Sequence, residues 1–316
     1  MYYGGMAILF LFLLPLVSAF SPPLSTARPR ISTITKAVAL PASDQSTLNK
    51  SPIVIFPAQF GVAKDYEEMI AELNSRGHPA YAVDLSRFDW LKITKSAITQ
   101  DYWRGTLKPS GTLDFYFDAA AAIIERVKFE YPDRKIHLVA HSIGGWVARA
   151  YCGEVADPED VNKRFISLTT LGSPNYPPPA GEGIWGSIDQ TRGLLEYVNL
   201  RFPGAFHKGM KYVSVGGVGT KGRFGGGLEE SIAYISYLPL CGKGDAEGDG
   251  IIPESVAFLE GSTHVRVMEA KHSGFIPTAG PSIKIPGYVW YGTPEIVDQW
   301  LVHLPESKKV GLRGWN

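Results

Sequence analysis

From residue 51 onward, short runs of β-branched and aliphatic residues alternate with longer segments whose apolar positions recur every three to four residues. The short runs are Ile53–Phe56 (IVIF), 80–85, 135–140 (KIHLVA), Phe165–Leu171, 212–215 and 265–269. They are nearly continuous in apolar residues, the pattern of strands covered on both faces. The helical segments are 65–76, which stops at Gly77, the alanine-rich 114–129, closed off by Pro132, 146–154, and Pro294–Leu301 with proline in its first turn. Strand and helix in regular alternation predict an α/β chain built on a mostly parallel sheet with helices on both faces. Two stretches break the alternation. Residues 174–207 begin with consecutive prolines and carry Tyr176, Trp185, Tyr197, Phe202 and Phe206, and residues 216–227 are glycine-rich and read as a loop.

The first fifty residues follow a different pattern. Residues 7–19 (AILFLFLLPLVSA) are apolar, too short to span a bilayer and interrupted by Pro15, with small residues at Val17-Ser18-Ala19. They read as a signal peptide over 1–19. Residues 20–48 carry Arg28, Arg30 and Lys36 among many Ser and Thr, with no acidic residue before Asp44, a composition resembling a plastid transit peptide. A bipartite plastid leader is the expectation, with a secreted protein as the alternative. The remainder, 49–316, is long enough for one catalytic domain.

Charge narrows the partners. Lys+Arg and Asp+Glu balance at 31 each, so no basic field gathers nucleic acid, and no obligate protein partner is implied. Cys152 and Cys241 lack metal or redox spacing and read as small hydrophobes.

The chemistry centres on KIHLVA-His141-Ser142-Ile143-Gly144-Gly145-Trp146, a hydrophobic strand entering a small-residue turn and then a helix. That is the context of a nucleophile elbow, whose serine sits on a strained turn that excludes large neighbours two residues to either side. Ala140 adds one methyl to the commoner glycine there. The Ile143 amide is placed to donate to a developing oxyanion. A base and an orienting acid must then follow in chain order. His272, just past the last strand, is preferred as base over His264 at the opposite end of that strand. For the acid, Asp249 lies between glycines, with Asp245, Glu247 and Glu254 as rivals. The second oxyanion donor is expected after the first strand, in Pro57-Ala58-Gln59-Phe60-Gly61; Gln59 is the choice, with Ala58 and Phe60 open.

Other motifs weigh less. Gly217-Val218-Gly219-Thr220-Lys221-Gly222 has dinucleotide-loop spacing, but Arg223-Phe224 and three more glycines follow where a helix should start. His137 and His141 share a strand rather than a helix face, so they read as packed beside the elbow. Trp90 and Trp103 read as packing residues. No cofactor or metal is expected.

With these residues placed, the chain resembles lipase-like α/β-hydrolases whose acid sits on a G-D-G-x-[IV]-P turn. AHSIGGWVARAY, TTLGSPNYPPP, RGLLEYVN, PGAF, GDGIIP and WYGTPEIVDQW are similar to plastid-directed and inositol-deacylase-like members of that group, over about residues 51–304. The resemblance implies an α/β-hydrolase fold with a cap insertion at about 174–210 and a triad of Ser142, Asp249 and His272. It also implies cleavage of a hydrophobic ester; the cap aromatics Trp185, Tyr176 and Phe206 would wall its acyl or phytyl chain, and the plastid leader alone suggests a membrane-lipid-derived or pigment ester. An acyltransferase using the same triad and a non-catalytic binding protein are the alternatives.

Overall fold

The computed structural model describes residues 48–178 and 189–306. The leader at 1–19, the 20–48 segment except Leu48, and Trp185 lie outside the described residues. Up to residue 267 the strands are β1 (Ile53–Phe56), β2 (Ala80–Ala82), β3 (Ile136–His141), β4 (Phe165–Leu171), β5 (Lys211–Gly217), β6 (Thr220–Lys221), β7 (Glu247–Gly248) and β8 (Thr263–Val267). All but β6 and β7 form one parallel sheet of order β2-β1-β3-β4-β5-β8.

The two-residue repeat of the strands divides the core. Ile53, Ile55, Val139, Leu171, Val213 and Val215 face Met69 and Leu73 of the helix Glu67–Ser75 and Ile296, Val297 and Trp300 of Pro294–Leu301. Val54, Phe56, Leu138, Ala140 and Leu168 face the other way, onto Tyr116, Phe117, Ala120, Ile124 and Val127 of Asp114–Glu130 and onto the helix Gly144–Ala150. Trp300 is fully buried and donates its indole N–H to the Tyr291 carbonyl at 3.0 Å. Burying a side chain of that size contributes about 3 kcal/mol.

The strand order also fixes where a ligand can be reached. The chain steps outward from β1 to β2 and then returns to the other side of β1 as β3. Helices leave β1 and β3 on opposite faces of the sheet, so a crevice opens between the loops at their carboxyl ends. Those loops carry Pro57–Gly61 and Ser142.

Three expectations change. β2 ends at Ala82 because Ser86 and Asp89 cap a 3-10 helix over Arg87–Ile98, the Ser86 amide donating to Asp89 Oδ2 at 2.8 Å. Residues 216–227 are not a plain loop: Gly216 and Gly217 complete β5, and Thr220–Lys221 pairs antiparallel with Glu247–Gly248. In the stretch 174–210, residues 174–178 leave the top of β4, and residues 189–210 run through the helix Leu194–Arg201 to the bottom of β5. Ala205 donates to the Glu260 carbonyl and His207 to the Tyr212 hydroxyl, which carries Phe206 to the amino ends of the strands. The Tyr176 hydroxyl accepts from the Glu260 amide at 2.8 Å. Phe206 thus lies at the end of the sheet opposite Ser142, and the Tyr176 hydroxyl is held at Glu260. Cys152 is buried and Cys241 half-buried, both free.

β3 buries two histidines. His137 meets Ser167 Oγ at 2.8 Å and packs on His78. Burial pushes His137 down to about 3, with His78 adding to the effect. Burial also pushes His141 down to about 3, with His272 adding to it. Below 6.5 the unfolded chain takes up protons that the native state refuses, so this stability is present above that pH and is lost on acidification. We expect each to cost about 2 kcal/mol of unfolding free energy between pH 6.5 and about pH 5. Urea midpoints at the two pH values check this; equal midpoints would contradict it.

Candidate active site

The elbow follows from the turn between β3 and the helix Gly144–Ala150. Ser142 stands at φ 56°, left-handed backbone that a non-glycine residue holds only when its surroundings fix it. Its amide donates to the Leu171 carbonyl at 2.9 Å. A Cβ at Gly144 would lie 2.5 Å from the Phe56 carbonyl oxygen and 2.9 Å from that of Pro57, so only glycine lets the helix pass this close to β1. The methyl of Ala140 packs into the core beside Phe56 without conflict.

Ser142, His272 and Asp249 meet above the sheet. Ser142 Oγ lies 3.0 Å from His272 Nε2, and His272 Nδ1 lies 2.9 Å from Asp249 Oδ2. The His272 amide also donates to the Asp249 carbonyl at 2.9 Å, joining the two loops through backbone as well as side chain. Asp249 is 2% exposed, whereas Asp245 and Glu247 are exposed and Glu254 pairs with Arg266. His264 stacks on Phe258, with its Nε2 3.1 Å from the Leu259 carbonyl, far from Ser142 along β8.

Burial alone would push the Asp249 carboxyl up. The His272 imidazole and the amides of Ile252 and Ile251 outweigh that and hold it below the usual carboxylate range. Ionised, it accepts Ile251 and Ile252 N–H on Oδ1, at 3.0 and 2.7 Å, and the Tyr291 hydroxyl on Oδ2 at 2.8 Å. A carboxylate can only accept, so His272 Nδ1 carries the proton and Nε2 faces the serine as the acceptor.

In the elbow and in the loop after β1, the amides of Ile143, Gln59 and Phe60 have no acceptor among the described residues. Ala58 is removed from the choice of second donor, because its amide donates to the Tyr66 hydroxyl at 2.8 Å. The loop is pinned at two further points: the Tyr116 hydroxyl donates to the Pro57 carbonyl, and Gly61 closes a turn onto Ala58 with Phe60 at φ 59°.

Residues 51–193 match a family model described as the alpha/beta hydrolase fold. A metagenomic carboxyl esterase of known structure is similar over 89% of this chain and 80% of its own, at 14% identity and a TM-score of 0.50. The architecture is that of the α/β-hydrolases. A Bacillus licheniformis lipase in its mature form aligns with 71% of this chain and 85% of its own, at 18% identity and a TM-score of 0.44. No curated protein matches the sequence.

Within this hydrolase fold, several residues that sequence reasoning missed brace Asp249. Tyr291 is fully buried, donates to Asp249 and accepts the Gly217 amide at 2.8 Å; burial first, and the nearby Asp249 charge next, keep it protonated as a donor. Tyr237 accepts the Gly250 amide at 2.8 Å and donates to the Thr220 carbonyl at 3.0 Å, which holds the acid turn against β6. Glycines make the room: a Cβ at Gly172 would lie 2.5 Å from Asp249 Oδ2, and one at Gly217 would lie 2.8 Å from Asp249 Cβ. The spacing at 217–222 is thus steric. The one sequence signal for Tyr291 was its place in WYGTPEIVDQW. Trp90 is buried against Phe60, Phe115 and Tyr116, while Trp103 is 65% exposed.

Proposed function

We propose that the chain is a serine hydrolase that cleaves carboxylic esters carrying a hydrophobic acyl chain. The observation that carries this reading is the Ser142–His272–Asp249 line of hydrogen bonds, 3.0 and 2.9 Å long, together with amides at Ile143, Gln59 and Phe60 that have no acceptor among the described residues. Ser142 Oγ attacks the ester carbonyl as its proton passes to His272 Nε2, and Asp249 stabilises the imidazolium. The tetrahedral oxyanion is held by the Ile143 amide and by that of Gln59 or Phe60. Its collapse expels the alcohol, which leaves with the proton from His272. Water, deprotonated by the same imidazole, then attacks the acyl-enzyme and releases the acid from Ser142.

The metagenomic neighbour is a carboxyl esterase, and we carry that reaction class to this chain. Ile143, next in the chain to Ser142, and Phe60, on the loop after β1, are only partly buried against the core, and their apolar side chains support an acyl chain as the group bound there. Release of p-nitrophenol from esters of increasing acyl length tests both parts. We expect hydrolysis above blank, with kcat/KM rising about tenfold from acetyl to octanoyl, since each buried methylene adds under 1 kcal/mol and part of the chain stays in solvent. No release from any ester would overturn the reaction class, and preference for acetyl would overturn the apolar acyl site.

A further inference from the structure

Behind Ser142 lies a chain of buried polar groups that the triad itself does not require. Tyr66 is fully buried under the loop that follows β1. Its hydroxyl accepts the Ala58 amide at 2.8 Å and lies 2.8 Å from His141 Nδ1. His141, immediately before Ser142, is also fully buried, and its Nε2 lies 2.7 Å from the backbone carbonyl of His272.

A carbonyl only accepts, so His141 Nε2 must carry the proton and Nδ1 must be bare. Tyr66 therefore donates to Nδ1 and keeps its lone pairs for Ala58. The direction of every bond follows: Ala58 N–H to Tyr66, Tyr66 O–H to His141, His141 N–H to the His272 carbonyl. No backbone hydrogen bond joins residues 57–62 to 271–276 among the described residues, so these side chains are the polar link between the two loops. Phe275 and Trp290 pack edge-on against the Tyr66 ring, and both also flank His141, which keeps water from competing for the bonds.

We propose that Tyr66 and His141 are positioning residues, forming one relay that locks the second oxyanion donor loop and the His272 loop onto the nucleophile elbow. The role rests on the ester-hydrolase reading above. Tethering Ala58 leaves the next two amides as the free donors, and holding the His272 carbonyl fixes the backbone from which its imidazole reaches Ser142. His141 must stay neutral to do this, because its ring centroid is 5.0 Å from that of His272, which becomes cationic in each half-reaction. A fixed donor geometry matters most where charge develops, so the relay acts on the chemical step more than on substrate binding.

The test is a double-mutant cycle on ester hydrolysis by the full chain, together with the tautomer of His141. Tyr66→Phe keeps the ring and removes the hydroxyl. His141→Gln keeps an N–H able to reach the His272 carbonyl but replaces the fixed ring acceptor for Tyr66 with the oxygen of a freely turning amide. Each is expected to lower kcat about tenfold or more with KM within about twofold, and the double variant to fall no more than about threefold below the lower single, because the relay is already cut. Wild-type kcat in Tyr66→Phe, or losses that multiply in the double variant, would overturn the relay. Should one variant fail to unfold cooperatively, the other single and the wild-type tautomer still decide. Nitrogen-15 NMR of the wild type should find His141 as the neutral Nε2–H tautomer at pH 7; an Nδ1–H tautomer or a charged ring would overturn the proposal. A wild type that releases no product but holds that tautomer would defeat the ester reading and leave the hydrogen-bond relay standing.

Discussion

Ser142→Ala is expected to abolish covalent labelling by a fluorophosphonate probe and to lower ester turnover by about 10⁴-fold or more. The probe needs an attacking oxygen, a base within reach of it and donors for the phosphonyl oxygen. On the proposed reading Ser142 is the attacking oxygen, His272 Nε2 at 3.0 Å is the base, and the amides of Ile143 and the Gln59–Phe60 turn, unengaged among the described residues, are the donors. Alanine keeps the small side chain that the left-handed turn admits and removes only one hydroxyl, whose side-chain partner among the described residues is His272. Stability should therefore change by no more than about 1 kcal/mol, so that a loss of labelling reads as chemistry rather than unfolding. Gel fluorescence and a thermal melt on wild type and variant check this together. A wild type that takes no label would sink the hydrolase reading, and an alanine variant labelled as fast as wild type would move the nucleophile elsewhere.

What the sequence made legible was set by how local each cause is. Ile53–Phe56, Phe165–Leu171 and Pro294–Leu301 carry their own signal in runs of apolar residues or in a proline at the first turn, and the structure has them at the expected bounds. The elbow is equally local, since a strand, a serine and two glycines in succession already imply the turn. The glycines of 216–227 misled because their cause is distant. Gly216 and Gly217 sit within β5, where a Cβ would press on Phe258 and on Asp249. The helix Leu228–Cys241 was hidden behind those glycines and by Pro239 in its last turns. Tyr66 gave no signal of its role, and Tyr291 none beyond its place in WYGTPEIVDQW, because their partners His141 and Asp249 are 75 and 42 residues away in sequence. The aromatic-rich stretch after β4 misled in another way: composition cannot tell which end of the sheet a side chain will reach, and Phe206 went to the amino ends.

The second large effect concerns which nitrogen of His272 carries the proton. In Asp249→Asn one carboxylate oxygen becomes an NH₂ group, and the surroundings decide which. Two backbone amides, Ile251 and Ile252, point at the Oδ1 position, so the remaining carbonyl oxygen must stay there to accept them. The new NH₂ then occupies the Oδ2 position, 2.9 Å from His272 Nδ1 and 2.8 Å from the Tyr291 hydroxyl. A donor facing Nδ1 favours the tautomer protonated on Nε2, which presents a hydrogen to Ser142 and has no lone pair to take its proton. The fold should persist, because size and shape are conserved and the Tyr291 hydroxyl can turn to accept from the NH₂. Turnover should nevertheless fall about 10⁴-fold at neutral pH, with KM changing far less, the loss expected when a base is held in the wrong tautomer. Steady-state kinetics of Asp249→Asn beside wild type measure it. A variant within about tenfold of wild-type kcat would mean that Asp249 only braces the loop and that the proton on His272 is placed by another group.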